Sequence, residues 1–213
     1  MPFDGTIMAL DISSRAMGVC EGRPGEKPRF ETVRLKRPDD TAEDACAAAI
    51  GWAANRFLNF PPDRLVVERR VSTFMPMKED EEGKLRPTSN PATMELLVGL
   101  QLSIRGCAKR VGIRNVPGHG TDGYAVSVST ARKAFLGKGN LKSGDAKRAA
   151  MHVCRLLGWE PQNEDEADAA CVWVWACQQL APEKAPGTHP LQLQALQARL
   201  GRGRQRDAYE VEL

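Results

Sequence analysis

The stretch Ile7-Met8-Ala9-Leu10-Asp11-Ile12-Ser13-Ser14-Arg15-Ala16-Met17-Gly18-Val19-Cys20 decides how this chain is read. An apolar run ends in one carboxylate, passes through small polar residues and resumes as a second apolar run. That pattern predicts two strands joined by a tight turn. Burying a strand aspartate is costly unless its charge meets a cation or a hydrogen-bond donor. Asp11 is therefore either a turn residue or the first ligand of a metal site, and the rest of the sequence has to decide.

The next elements extend the meander. Residues 6–12, 16–22 and 29–36 read as three strands. Thr41 is placed to N-cap an alanine-rich helix that runs to Asn59 and stops before Pro61-Pro62. Residues 64–68 form a fourth, apolar strand, again with a carboxylate, Glu68, at its C-terminal end. Residues 69–90 are charged and rich in Pro and Gly, which predicts a mobile loop or long hairpin. A helix follows over 91–111, with Leu96, Leu97, Leu100 and Ile104 on one face. A fifth strand is predicted over 112–116, then a Gly-rich loop. Ser129 or Thr130 caps a short helix to Leu136, a second helix starts at Ser143, and a last core helix covers 161–180 and includes Trp173 and Trp175. The pattern predicts an α/β fold, a mixed five-stranded sheet flanked by helices, three strands antiparallel and the others parallel. Residues 1–182 form one domain, and 183–213 a C-terminal extension, partly helical and then frayed.

Bulk composition excludes several classes. With 213 residues, 42% hydrophobic and 27% charged, the chain reads as an ordinary globular protein. No apolar run approaches the roughly 20 residues needed to cross a bilayer, and no signal peptide is evident, so no membrane partner is expected. The six cysteines include no Cys-x-x-Cys pair. They read as buried reduced thiols, which suits a reducing cytoplasm. A net charge of +3 does not by itself imply nucleic-acid binding.

Carboxylates stand at three places where a sheet-based site would use them: Asp11, Glu68, and the pair Asp165 and Asp168. The last two are three residues apart at the start of a helix and so share a face. Alone, each has a plain reading: Asp11 as a turn residue, Glu68 as a partner of Arg69 or Arg70, Asp165 and Asp168 as helix-capping residues. Together they would repel one another, and two hard divalent cations would remove that repulsion. Two Mg²⁺ or Mn²⁺ ions about 4 Å apart form a clamp suited to phosphodiester hydrolysis.

This order of motifs resembles the RuvC-type Holliday-junction resolvases of the RNase H-like superfamily. Residues 7–19 are similar to the family's first acidic motif, Val66-Val67-Glu68 to its second, residues 92–106 with Gly99 and Gln101 to its central helix, 135–157 to its basic loop and following helix, and Asp165-x-x-Asp168-Ala169-Ala170 to its last acidic motif. The resemblance implies a metal-dependent endonuclease that resolves branched DNA by paired nicks, with Asp11, Glu68, Asp165 and Asp168 holding two Mg²⁺ or Mn²⁺ ions. It further implies Lys147 as a catalytic lysine near the scissile phosphate, and a homodimer joined through the long central helix. Arg69, Arg70, Arg132, Lys138, Lys142 and Lys147 would contact DNA phosphates, and Phe74 would either wedge into or stack on junction bases or cover the core or a dimer contact. The charged stretch after Glu68 and the tail after Pro182 depart from the bacterial pattern and look more like a phage or prophage version. An RNase H-type or pre-rRNA-processing nuclease shares the fold. An actin-like or sugar-kinase ATPase also begins strand–Asp–turn–Gly, but it needs a second such domain and a nucleotide, and no nucleotide cofactor is expected here.

Overall fold

The computed structural model describes residues 3–69, 77–79, 85–87, 90–118 and 121–186. Its meander is β1 (Ile7–Ile12), β2 (Ala16–Gly22) and β3 (Arg29–Arg34), followed by α1 (Ala42–Asn59) and β4 (Arg64–Arg69). A short hairpin, β5 (Met77–Glu79) and β6 (Leu85–Pro87), precedes α2 (Pro91–Arg110). Then come β7 (Arg114–Asn115), β8 (Thr121–Asp122), β9 (Ala125–Ser127), α3 (Val128–Leu136), α4 (Ser143–Leu156) and α5 (Glu164–Leu180). The main sheet runs β3-β2-β1-β4-β9-β8, with β7 also paired to β4. β1–β2 and β2–β3 are antiparallel, whereas β1–β4 and β4–β9 are parallel. The predicted mixed α/β fold is thus present.

Two details differ from the sequence reading. The fifth strand is divided: Arg114–Asn115 pairs with the start of β4, and Ala125–Ser127 with its end. Pro117 has no N–H to continue a ladder, so the chain leaves the sheet and returns through the β8–β9 turn. The last helix begins at Glu164, not 161, because Asn163 caps it by accepting from the Glu166 N–H. The cap of α3 is likewise Ser127, two residues earlier than expected. Of the expected loop over 69–90, only the short hairpin and the flanks are described; of the expected extension, only residues to 186.

Helix pattern explains the layers. Ala45, Ala49, Ala53 and Phe57 repeat every four residues on α1, and Leu96, Leu100, Ile104 and Ala108 do so on α2, so both helices bury one stripe. They meet Met8, Leu10, Met17, Val19 and Val67 on one sheet face. On the other face α5 is buried without interruption from Glu166 to Cys177, and α3 and α4 pack around it. Trp173 meets Trp159 edge-on at 5.7 Å, and Phe135 stacks on Trp159 at 6.0 Å. No helix among the described residues is long and apolar enough to cross a membrane.

Candidate functional site

Strand alternation places Asp11 on the α5 side of the sheet, in line with Ile7 and Ala9, and puts Glu68 there with Val66. Because Leu10 pairs with Val67 in the parallel β1–β4 ladder, the two carboxylates following them end up side by side. From above, α5 supplies Asp168. One oxygen from each of Asp11, Glu68 and Asp168 lies within 4.8 Å of the other two, and their exposures are 0%, 3% and 1%. Three buried carboxylates so close repel strongly. The group contains oxygen donors only, with no thiol or imidazole, which fits a hard cation such as Mg²⁺ or Mn²⁺.

Asp165 is placed differently. It lies outside that trio, its side chain is 26% exposed, and Oδ1 is 3.8 Å from the ammonium of Lys147. Lys147 projects from α4 and donates to Glu164 at 3.0 Å. Partial burial opposes its charge, but the hydrogen bond it donates to Glu164 and the charges of Glu164, Asp168 and Asp165 outweigh this and raise its pKa. Arg132, on α3, is 11% exposed in its side chain and stands 3.7 Å from Asp168. The trio is therefore flanked by cations on its α3–α4 side. Lys138 and Lys142 are exposed beyond them, and Lys142 occupies the N-cap position of α4. Arg69 ends β4 immediately after Glu68 and is half-buried. Arg70 and Phe74 lie outside the described residues.

Several supporting residues were given no role at the site by the sequence, Gln101 being named only as part of the central helix. Gln101, from α2, donates to the main-chain carbonyl of Glu68 at 3.1 Å in a buried position. Glu166 is 2% exposed and accepts from the Thr32 hydroxyl and the Gln162 N–H, both at 2.6 Å. Gly18 pairs with Asp11 across the β1–β2 hairpin, and a Cβ there would lie 2.1 Å from the Asp165 carbonyl oxygen. That glycine admits the first turn of α5 to the sheet. The Asp11–Gly18 pairing is the one signal a sequence could have offered, since the short turn fixes the hairpin register. Ser13 closes that turn, its N–H and hydroxyl both donating to Ala16 O at 2.8 Å.

No protein-family profile matches the chain, and no curated protein matches it. Solved structures do. Thermus thermophilus RuvC aligns with a TM-score of 0.54 and 15% identity over 84% of this chain and 97% of its own. The T. thermophilus RuvC complex with a Holliday junction substrate aligns with a TM-score of 0.55 and 12% identity, over 86% of this chain and 96% of its own. At such identity the likeness speaks for architecture. Nearly the whole length of RuvC is matched, and this chain has the RuvC fold.

Proposed function

We propose that this protein is a divalent-metal-dependent endonuclease that resolves four-way DNA junctions by paired, symmetric nicks. The observation that carries the reading is the buried trio Asp11, Glu68 and Asp168, gathered within 4.8 Å on a RuvC-like fold. These three carboxylates, with Asp165 at the rim, would hold two Mg²⁺ or Mn²⁺ ions. When bound, such ions activate water for attack on phosphorus and stabilise the leaving oxygen. The protein supplies the rest. Asp11 and Glu68 stand on rigid strands and Asp168 on a buried helix, so the donor set is preorganised. Lys147, kept cationic by Glu164, offers charge to the scissile phosphate. Arg132 orients Asp168 and faces a neighbouring phosphate, while Lys138, Lys142, Arg69 and Arg70 add sequence-independent attraction to the backbone. Phe74 would meet junction bases.

Two symmetric nicks call for two sites related by a two-fold axis, hence a homodimer. Val98 and Leu102, 38% and 58% exposed on the outer face of α2, offer an apolar contact for a second copy. The testing experiment incubates purified protein with four-way, flap, linear-duplex and RNA–DNA hybrid substrates, with and without Mg²⁺. Mg²⁺-dependent symmetric nicking of the four-way junction is expected. Preferential cutting of the hybrid would move the assignment to an RNase H-type nuclease, and ATP hydrolysis without nicking would end it.

A further inference from the structure

The trio of carboxylates is assembled from two separate bodies. Asp11 and Glu68 belong to the sheet, whereas Asp168 belongs to α5, so the spacing of the donor set depends on how α5 is docked. The end of α5 that carries Asp168 is docked on one transverse row of the sheet. Asp11 pairs with Gly18, and Gly18 pairs with Thr32 on the edge strand β3. Over this row lies the first turn of α5. Its Asp165 backbone leans on Gly18 so closely that no side chain would fit there. Beside it, Thr32 closes a ring of hydrogen bonds. The Thr32 hydroxyl donates to Glu166 Oε1 at 2.6 Å and accepts from Asn163 Nδ2 at 2.6 Å. Glu166 Oε2 accepts from the Gln162 N–H at 2.6 Å, and the Glu166 N–H donates to Asn163 Oδ1 at 3.0 Å. Both carboxylate oxygens of Glu166 are thereby engaged, away from the trio.

We infer that Thr32, acting through Glu166, is a positioning residue that fixes Asp168 over Asp11 and Glu68, so that metal affinity is set two strands away from the nearest ligand. The inference rests on the metal-dependent reading above. With strands about 4.8 Å apart, Thr32 stands roughly 10 Å from Asp11 along the row, too far to touch a bound ion or a scissile phosphate. It holds the helix whose next residues carry the donor. The glycine and the threonine work as a pair: the first lets α5 approach, the second stops it from rolling or sliding along the row. Because Thr32 is exposed on an edge strand, its hydroxyl contributes to helix docking more than to the core.

The test compares the full-length wild type with Thr32→Val, which keeps the shape and deletes the hydroxyl, and with Thr32→Ser, which keeps the hydroxyl. Titration with Mn²⁺ alone, followed by calorimetry, should show about tenfold weaker binding for Thr32→Val and near-normal binding for Thr32→Ser, as for other groups that orient metal ligands indirectly. Junction cleavage by Thr32→Val should need correspondingly more Mg²⁺ and recover most of its rate at saturation, with a small change in melting temperature of the metal-free protein. Gly18→Ala should act in the same direction. A Thr32→Val protein that melts earlier but binds Mn²⁺ like the wild type overturns the inference and leaves the metal-dependent reading standing. A wild type that binds no Mn²⁺ removes both.

Discussion

On one face of the sheet α5 buries every residue from Glu166 to Cys177, and four buried carboxylates, the trio and Glu166, interrupt an otherwise apolar layer. On the other face α1 and α2 pack a layer with no buried charge of that kind among the described residues, their stripes made of alanine, leucine, isoleucine and one phenylalanine, Phe57. The first face takes large rings, Trp173, Trp159 and Phe135, around small alanines. The second leaves apolar side chains on its outer surface, Ile50 on α1 with Val98 and Leu102 on α2. On the proposed function one sheet separates two tasks. Chemistry would sit where a helix end is clamped to a strand row, and assembly would fall to the layer whose packing does not have to hold a charge in register.

The sharpest break of this contrast is Asp11→Asn. Cleavage should fall on the order of a thousandfold, because the lost charge removes several kcal/mol of stabilisation at the reacting phosphate, while junction binding persists. Gel-shift and nicking assays on one protein preparation separate the two effects, and equal loss of binding would argue against a metal-site role. Next in size are paired core truncations. Trp173→Ala and Phe57→Ala, one on each face, should each cost about 3–5 kcal/mol of stability in urea unfolding. Only the Trp173 change, on the helix that bears Asp168, should also shrink the rise in melting temperature that Mn²⁺ gives the wild type. Equal losses of the Mn²⁺ effect in both variants would mean that the two faces are not independent.

Much of this division was legible in the sequence, for local reasons. Asp11 and Glu68 each end an apolar run, so their strand positions could be read directly, and the parallel pairing of those strands brings them together. The choice between Asp165 and Asp168 could not be read. Spacing puts both on one side of a helix, but Asp165 stands nearer the helix end, where its backbone meets Gly18 and its side chain reaches Lys147. Asp168, nearly a turn further in, is covered. Glu166 was hidden among acids that resemble a solvated first turn, and its partner Thr32 lies 134 positions away in the chain. The divided fifth strand escaped for a different reason. Residues 112–116 carry strand-like side chains, and only tertiary pairing shows that β4 needs a second partner at its far end.

A smaller effect tests the outer layer. Leu102→Glu should leave the fold intact, since Leu102 is 58% exposed, yet bring a charge twice into any two-fold contact through α2. A dimer joined there should weaken by about 2 kcal/mol, roughly thirtyfold in Kd, as measured by light scattering over a dilution series. An unchanged dimer would place the contact elsewhere, and a wild type that is monomeric at all concentrations would withdraw the homodimer from the proposal.

The smallest effect reports on both faces at once through the thiols. Cys20, Cys154, Cys171 and Cys177 lie in the α5-side core, whereas Cys46 and Cys107 are half-buried at the edge of the other. Burial pushes the Cys154 thiol up to about 12, with the charge of Asp168 adding to it, and burial also drives Cys20, Cys171 and Cys177 well upward. Since the thiolate is the reactive form, a disulfide reagent at pH 8 should label Cys46 and Cys107 in the folded protein and all six thiols in urea. The same shifts give a stability slope of known sign. A thiol whose folded pKa is raised keeps its proton while the unfolded chain loses one, so stability is full below the ordinary thiol value of 9.0 and declines as pH climbs toward about 12. Urea midpoints at pH 8 and pH 10 should therefore differ, and Cys154→Ala should lessen the difference if it packs without collapse. Rapid labelling of all six thiols at pH 8 would mean that the α5 side opens as readily as the α1–α2 side, and a helix that loose could not keep three carboxylates in register.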